Sequence, residues 1–509
     1  MPIRSVSVIA RRLAHSMLTV LSVSQLATAQ SATSTLIRNA IVIDGRGAPA
    51  RRVDVRIVGD RIAAVGRLRI TPADVVVDAH GLTLAPGFID THSHHDRTLF
   101  DARDALPMVS QGVTTIVVGQ DGGGRQLGRL FSRLDTQRVA VNVASYVGHG
   151  AVRRAVLGDD FKRAATPAEI ERMRQLVRED MQAGALGLST GLEYDPGIYS
   201  TADEVQALAQ VAAQFGGRYI SHMRSEDRDF WPALREVIAI GRRQHMPVQV
   251  SHIKLGMRDL WGQADSVVRV LSRARAEGIN ITADIYPYLH WSSNLGVLYP
   301  KRNFADSTET DFILTHLNGA EDILFSRVDG HPDYRGKSLA QVAAQRGATS
   351  ARTLMDLLAT PNGAGIGIVA KGMDDADVDR LMQWSFTNIC SDGTSNGLHP
   401  RGFGSFPRVL GPYVRDRKLF SVVEAVRKMT SLAAHNVGIV NRGAIVPGYF
   451  ADLVLFDATT VTDHATFERP QSASTGIDRV WVNGVVVFNG ERATAAYAGR
   501  TVRRAGSAR

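Results

Sequence analysis

Residues 87–96 read GFIDTHSHHD and end an apolar stretch with two histidines that are two residues apart. Alternate residues of a β-strand point to the same side, so His92 and His94 would project together from the carboxyl end of a strand. Neutral imidazole is the commonest side-chain ligand of zinc-like ions. We therefore predict a metal site at this strand end. A polar turn that happens to hold histidines is the alternative for such a pair taken by itself.

Other short apolar runs end in similar polar residues. His222 follows residues 217–220, His252 follows residues 247–250 and Asp392 follows residues 386–389. The runs that we assign to strands lie at residues 84–91, 113–118, 139–146, 184–190, 218–222, 248–252, 279–285 and 386–391. Helical periodicity between the runs is typical of a (β/α)₈ TIM-type barrel, whose active site lies at the carboxyl ends of its strands. The candidate ligands all fall at such ends.

Alternating, turn-rich segments flank this region at both ends of the chain, at residues 36–45, 53–57, 61–66, 448–457 and 480–487. Their pattern predicts short antiparallel strands. We expect one small β-sandwich from residues 30–85 and 442–499, flanking a barrel over residues 86–441. The stretch of about 298–372 is too long for an ordinary connection. We predict that it is an insertion over the barrel mouth that shapes substrate choice.

Charge and composition limit the function classes. The chain has 509 residues, 44% hydrophobic content and a net charge of +9. It can bury a large core, and the barrel and sandwich use nearly all of it. Residues 1–29 and 500–509 hold seven arginines and no acid, which leaves +2 for the rest. Because no basic stripe with interleaved aromatics appears, we expect no nucleic-acid partner. Residues 500–509 are predicted to be a basic tail.

The first 29 residues resemble an export signal. Arg4, Arg11 and Arg12 precede a modestly apolar stretch, and Ala27-Thr28-Ala29 forms an A-x-A cleavage site. The stretch is too short to span a membrane as a mature helix. We predict a signal peptide and a periplasmic or secreted protein without a membrane segment in its mature form. A disordered cytosolic leader is the alternative.

An ordered set of motifs resembles the amidohydrolase superfamily and, within it, the D-aminoacylases, which are N-acyl-D-amino-acid deacylases. Besides residues 87–96, the motifs are GVTT at 112–115, SHMR at 221–224, SHIK at 251–254, YPY at 286–288, SDG at 391–393, HPR at 399–401 and FPRVLG at 406–411. The resemblance runs from about residue 36 to about residue 494. It implies a hydrolase that uses one or two Zn²⁺ ions to cleave the amide of a small N-acyl-D-amino acid.

One motif departs from the family pattern. D-aminoacylases carry a metal-binding cysteine in a Gly-Asn-Cys-Gly turn after the second strand, whereas this chain has Asp121 in GQDG at 119–122. A carboxylate can replace a thiolate and bridge two ions, and as a harder ligand it admits manganese or cobalt more readily. Glu193, after the fourth strand, is the rival anionic ligand. A purely structural Asp121 is also open.

The resemblance implies roles for the remaining site residues. We expect Asp121, His222 and His252 to hold one ion, with a second ion on His92 and His94. Asp392, also a metal ligand, is expected to accept the proton of the attacking water and to pass it to the leaving amine. Candidates for binding the substrate carboxylate are Lys254, Tyr286, Arg224, Ser292 and Arg401.

Some questions stay open at this level. His149 matches a family motif and is expected to line the site. Cys390, the single cysteine, is expected to be a buried apolar residue rather than a nucleophile. A peptidase or cyclic-amide hydrolase with the same metal site is the alternative activity, and a non-catalytic binding protein is a third. The sequence does not fix the stereochemistry, the preferred side chain, the metal or the oligomeric state.

Overall fold

The structure is a computed structural model that describes residues 33–317 and 319–507. The predicted signal peptide, residues 1–29, lies outside these residues. In chain order, the strands are β1 (Ser34–Val42), β2 (Arg51–Val58), β3 (Arg61–Gly66), β4 (Asp74–Asp78), β5 (Thr83–Pro86), β6 (Phe88–Asp90), β7 (Val113–Val118), β8 (Asn142–Ser145), β9 (Val147–Gly148), β10 (Gly187–Gly191), β11 (Arg218–His222), β12 (Val248–Val250), β13 (Ile281–Ile285), β14 (His290–Asn294), β15 (Ile323–Arg327), β16 (Gly367–Lys371), β17 (Thr387–Ile389), β18 (Leu453–Phe456), β19 (Ile477–Val482) and β20 (Val485–Phe488).

Helices occupy most of the segments between the strands. They are α1 (Leu106–Val109), α2 (Leu127–Thr136), α3 (His149–Leu157), α4 (Pro167–Ala183), α5 (Ala202–Gln214), α6 (Phe230–Gln244), α7 (Ala264–Ala276), α8 (Ser307–Phe312), α9 (Leu339–Arg346), α10 (Ser350–Leu358), α11 (Asp375–Gln383), α12 (Arg401–Arg408), α13 (Val422–Met429) and α14 (Ser431–Val437). A capping box between Thr166 and Glu169 closes the amino end of helix α4.

The strands near both chain ends share one sheet. Its order is β20-β19-β18-β5-β1-β2-β3, with β4 beside β1, and the antiparallel pair of β18 and β5 joins the two ends of the chain. The predicted sandwich therefore takes the form of one hydrogen-bonded sheet. Its core includes the buried side chains of Ile37, Leu84, Leu453 and Trp481. Strand β4 was missing from the sequence prediction because it lies at the sheet edge with mostly exposed side chains.

All the strands of a second region run parallel. They form the sheets β6-β7-β8 and β9-β10-β11-β12-β13-β17, and Tyr146 alone separates β8 from β9. Eight strand positions thus follow one another in chain order. The segments after β6 and β17 also pair, because Ser93 bridges Gly393 and the Asp392 N–H donates to the His92 carbonyl at 2.8 Å. The carboxyl ends of these strands consequently meet at one rim.

The predicted first barrel strand, residues 84–91, is wrong as a single element. Residues 83–86 form β5 in the terminal sheet, and residues 88–90 form β6 in the parallel region. The chain changes sheets at Gly87, where a Cβ atom would lie 2.2 Å from the Thr114 side chain. Only a glycine lets the backbone pass this closely.

The predicted insertion begins earlier than residue 298. Strand β14 starts at residue 290 and pairs antiparallel with β16, which also pairs with β15. This three-stranded sheet, with helices α8 to α10 between its strands, follows β13 and precedes α11. We call residues 290–372 the insertion. Its side chains line the cavity at the rim of the parallel strands.

The first part of the predicted basic tail, residues 500–504, packs against the rest of the chain. The Gly499 N–H donates to the Val139 carbonyl, and Val143 exchanges backbone hydrogen bonds with Arg500 and Val502 at 2.8–3.0 Å. The Arg503 and Arg504 guanidinium groups lie over Phe131 and Phe215. This segment therefore packs beside β8. Across residues 33–317 and 319–507, no helix is long and apolar enough to cross a membrane.

Candidate metal centre

The six predicted metal ligands converge at the rim of the parallel strands. They come from segments that follow or end β6, β7, β11, β12 and β17, and they are His92, His94, Asp121, His222, His252 and Asp392. At most 14% of any of these side chains is exposed. Residues that are separated by up to 300 positions in the sequence are thus brought together in a buried cluster.

Asp121 is the centre of this cluster. Its Oδ2 lies 3.1 Å from His94 Nε2, and its Oδ1 lies 3.3 Å from His92 Nε2 and 3.5 Å from His252 Nε2. The two oxygens therefore face histidines from different strands. A carboxylate in this position is able to bridge two ions.

The remaining ligands complete two groups that share Asp121. His222 Nδ1 lies 3.1 Å from His252 Nε2, which forms the group of Asp121, His222 and His252. Asp392 Oδ1 lies 3.3 Å from His94 Nε2 and 3.6 Å from His92 Nε2, which forms the other group.

The spacing of these atoms fits a tetrahedral ion such as zinc. Zn–N bonds of about 2.0–2.1 Å place ligand atoms about 3.3 Å apart in a tetrahedron. The separations of the atom pairs given above range from 3.1 to 3.6 Å. Moreover, the buried His92 nitrogens and Asp121 Oδ1 make no hydrogen bond with any described residue. Buried polar atoms without a hydrogen bond are costly, so a bound cation would satisfy them.

The backbone is strained at three of the six ligands. Asp121, His252 and Asp392 have φ angles of 52°, 32° and 48°. Non-glycine residues rarely adopt this left-handed region, and each such residue costs on the order of 1–3 kcal/mol. Strain of this kind persists only where the surrounding structure holds the residue in place, and it is frequent at active and ligand-binding sites. Here it accompanies the convergence of the ligands.

Glu193, the rival anionic ligand, contacts His222 from the other side. Its Oε2 lies 2.8 Å from His222 Nε2, whereas Nδ1 is the nitrogen that faces His252. Glu226 Oε1 lies 3.1 Å from His252 Nδ1, which also faces the Lys254 ammonium at 2.7 Å. Carboxylates that accept the far N–H of a ligating histidine orient its ring. The geometry therefore favours Asp121 as the shared ligand, although Glu193, His222 and Glu226 also lie close enough to hold an ion.

Sequence reasoning missed Glu226. It lies four residues after His222, in SHMRSE at 221–226, and the contact with His252 depends on packing between β11 and β12. Its position two residues after the SHMR motif is the available signal. Glu226 thus adds a second carboxylate behind the histidines.

The charges of the cluster stabilise one another. Burial by itself raises the pKa of Asp121 and of Asp392, but the nearby histidines, and Arg401 beside Asp392, hold both pKa values well below the usual range. Burial lowers the pKa of His94, yet hydrogen bonds with Asp121 and Asp392 raise it to about 9. Both aspartates are therefore ionised, and in this state a carboxylate can bind a metal ion or accept a proton.

Two cavities meet at the cluster. The outer cavity has a volume of about 970 Å³ and is lined by His94, Asp121 and part of the insertion. The inner cavity, of about 50 Å³, is lined by His222 and His252. Asp392, Tyr194, Ser292 and Ser293 border both cavities.

Two predicted substrate-binding residues lie at the inner cavity. Lys254 Nζ is 2.7 Å from Glu226 Oε2 and 2.7 Å from His252 Nδ1, so its charge is already paired. The buried Tyr286 hydroxyl makes no hydrogen bond within the part of the chain that the structure describes. Tyr286 thus offers a free donor beside the cluster.

Of the other predicted substrate-binding residues, Arg401 and Ser292 lie at the site and Arg224 does not. Arg401 Nη1 lies 2.7 Å from Asp392 Oδ2, and Ser292 on β14 borders both cavities. The structure does not bring Arg224 to the site, because its guanidinium pairs with Glu236 at 2.9 Å and borders neither cavity. Arg224 follows His222 by two residues, but the chain turns away there.

Two further expectations concern buried residues. His149 does not line either cavity, since its fully buried ring contacts Glu204 at 2.8 Å. Cys390 is buried directly after β17, and burial raises the pKa of its thiol well above the usual range. A thiol in this state is a poor nucleophile.

Comparison with known proteins identifies the family. The amidohydrolase family matches residues 75–290 and 398–488 of this chain. The matched residues include five of the six candidate ligands, and Asp392 lies between the two matched segments. This chain belongs to the amidohydrolase family. The cluster of candidate metal ligands at the strand ends is therefore found in an amidohydrolase.

Three proteins illustrate the similarity of this amidohydrolase to known deacylases. D-aminoacylase of Alcaligenes xylosoxydans xylosoxydans is 38% identical over 92% of this chain and 97% of its own. N-acyl-D-glutamate deacylase of the same organism is 38% identical over 89% of this chain and 93% of its own. The crystal structure of N-acyl-D-glutamate deacylase from Bordetella bronchiseptica, with zinc and a phosphonate inhibitor, matches with a TM-score of 0.83 at 35% identity, over 92% of this chain and 99% of that one.

Proposed function

We propose that this amidohydrolase hydrolyses the amide bond of N-acyl-D-amino acids and releases a carboxylic acid and a free D-amino acid. The observation that carries the proposal is the pair of ligand groups that share Asp121, with Asp392 beside both cavities. Relatives that are 38% identical over about nine tenths of the chain are D-aminoacylase and N-acyl-D-glutamate deacylase.

We also infer that the parallel strands close into a (β/α)₈ barrel. The eight strand positions in chain order and the pairing of Ser93 with Gly393 support this closure. The terminal sheet would then be a second domain, built from strands β1 to β5 and β18 to β20. In such a barrel, the rim that carries the six ligands is the catalytic face.

The residues present fit Zn²⁺, as one or two ions. Asp121, His222 and His252 would hold one ion, and His92, His94 and Asp392 would approach another, with Asp121 between them. The ion supplies a water of lowered pKa and polarises the amide carbonyl. The zinc in the related N-acyl-D-glutamate deacylase supports this choice.

Asp392 is the group that we assign to proton transfer. It is ionised and buried, and it borders both cavities, so it faces the point where a scissile amide would cross from one to the other. It accepts the proton of the attacking water and then donates it to the nitrogen of the leaving amine. Arg401, 2.7 Å from Asp392 Oδ2, orients the carboxylate.

Tyr286 and Arg401 are the donors that we assign to the substrate carboxylate. The Tyr286 hydroxyl is buried and free, and the Arg401 guanidinium lies 4.8 Å from the centre of the Tyr286 ring. Lys254 remains a candidate, but one of its contacts with Glu226 or His252 must break before it binds a carboxylate. Ser292 is a further donor at the border of the cavities.

A substrate panel with metal analysis tests the proposed function. Purified protein with one or two equivalents of zinc should hydrolyse N-acetyl-D-amino acids faster than their L-enantiomers, dipeptides or cyclic amides. Faster turnover of dipeptides or cyclic amides would support the peptidase or cyclic-amide hydrolase instead. Full zinc content without turnover of any of these amides would favour a binding protein.

We further propose that residues 1–29 direct export to the periplasm or the exterior. The support is the arginine-rich start, the apolar stretch and the A-x-A site. Fractionation of a bacterial host that expresses the full chain tests this proposal. Protein that begins at Gln30 in the periplasm is the expected result, and uncleaved cytosolic protein would contradict it.

A further inference from the structure

The shared ligand Asp121 lies in a turn whose backbone is unusual. Gly119, Asp121 and Gly122 all have left-handed φ angles, of 73°, 52° and 77°. The carboxylate extends from this turn toward histidines on two different strands. A rotation of the turn would therefore move both carboxylate oxygens relative to both ligand groups.

A single buried hydroxyl joins the two sides of this turn. Ser189, on β10, is fully buried, and its Oγ lies 2.5 Å from the Gly119 carbonyl and 3.1 Å from the Gly122 N–H. A hydroxyl carries one donor and two acceptor positions, so it satisfies both backbone groups at once. Asp121 is the residue directly before Gly122 and two residues after Gly119. Ser189 thus holds the backbone on either side of the ligand.

We propose that Ser189 is a positioning residue that sets Asp121 as the shared metal ligand. Among the described residues, the Ser189 hydroxyl hydrogen-bonds with the turn and not with a candidate ligand side chain, so it acts through the turn. Partners that orient metal ligands typically change metal affinity by roughly 10–100-fold when they are removed. The inference rests on the proposed role of Asp121.

The test is a double-mutant cycle read by zinc affinity. Zinc dissociation constants of the full protein are measured by competition with a chelator for wild type, Ser189→Ala, Asp121→Ala and the double variant. Ser189→Ala should raise the dissociation constant of the tighter site by roughly 10–100-fold. In the Asp121→Ala background the same change should have less than about a 2-fold effect, because the coupling of two residues disappears with either one.

Thr190→Ala is the matched control. Thr190 follows Ser189 on β10 and is also fully buried, and its hydroxyl contacts Tyr219 and Ser221 at 2.7 and 2.8 Å instead of the turn. The control removes a buried hydroxyl with two partners, so it should lower thermal stability while zinc affinity stays near that of wild type. Ser189→Thr, which keeps the hydroxyl, should retain most of the affinity. If Ser189→Ala does not fold, Ser189→Cys is measured in its place and should weaken zinc binding, because a thiol is a weak donor.

The outcomes separate this inference from the proposed function. Equal losses for Ser189→Ala with and without Asp121, or a loss no larger than that of Thr190→Ala, would show a merely structural Ser189. Wild-type zinc affinity in Asp121→Ala would remove the premise and overturn the inference. The substrate panel reports on the deacylase activity independently, since wild type can bind zinc through Asp121 and still fail to hydrolyse N-acyl-D-amino acids.

Discussion

Lys254 and Glu226 form a buried ion pair behind the metal ligands, with Nζ 2.8 and 2.7 Å from the two carboxylate oxygens. The same Nζ lies 2.7 Å from His252 Nδ1. The side chains of Lys254 and Glu226 are 3% and 10% exposed, so water screens the pair little. Lys254 therefore contacts both the Glu226 carboxylate and the ring of His252, which is a candidate metal ligand.

The first prediction concerns this pair. Lys254→Met should lower the free energy of unfolding of the metal-free protein by up to about 3–5 kcal/mol, because it removes the cation that contacts both oxygens of the buried Glu226 carboxylate. The double variant Lys254→Met with Glu226→Gln should lose less, since no charge stays unpaired. Urea denaturation of the three proteins measures the difference. Equal losses in the single and double variants would contradict a pairing role for Lys254.

The pair also shows where sequence reasoning reached its limit. The motif SHIK placed Lys254 beside His252, but nothing in the spacing reveals that Glu226 from the preceding strand end neutralises it. Arg224 illustrates the same limit, because its ion pair with Glu236 forms across the start of helix α6. Ion pairs depend on side-chain distances of a few ångströms, which strand order alone does not supply.

The positions of the parallel strands, in contrast, follow from the sequence pattern. Strands β7 and β11 have the predicted bounds, and every predicted barrel strand overlaps an observed one, because buried parallel strands are continuous apolar runs between helical segments. The exception at Gly87 arose because β5 and β6 form one apolar run in the sequence. The six predicted ligands converge for the same reason, since the ends of parallel strands meet at one rim.

The second prediction concerns proton transfer by Asp392. Asp392→Asn keeps the shape of the side chain but loses the proton acceptor, so turnover should fall by roughly 10²–10⁴-fold. Zinc bound to Asp121, His222 and His252 should remain, as metal analysis of the purified variant would show. Turnover within a few fold of wild type would exclude Asp392 as the base.

The third prediction separates an orienting carboxylate from a ligand. Glu193→Gln retains an oxygen that accepts the His222 Nε2 proton, so its zinc affinity should fall by less than about 10-fold. His222→Ala removes the ligand itself and should abolish the tighter site. Chelator competition on both variants measures this contrast. Loss of zinc in Glu193→Gln equal to that in His222→Ala would identify Glu193 as the anionic ligand.

The last prediction concerns the residue that distinguishes this chain from the cysteine-bearing pattern of the D-aminoacylases. Asp121→Ala should bind zinc much more weakly than wild type and lose most of its activity, because both ligand groups share this carboxylate. Asp121→Cys should keep zinc and part of the activity, since a thiolate suits that ion. The cysteine variant should also prefer zinc over manganese more strongly than wild type, because manganese favours oxygen ligands.

Parallel titrations of the apo-proteins with zinc and manganese, followed by activity measurements at saturating metal, check this order. The control is Asp96→Ala. Asp96 also borders the outer cavity but belongs to none of the ligand groups, so its removal should leave the zinc affinity near that of wild type. Full metal content and activity in Asp121→Ala would show that another residue is the shared ligand. Glu193, whose Oε2 lies 2.8 Å from His222 Nε2, would then be tested.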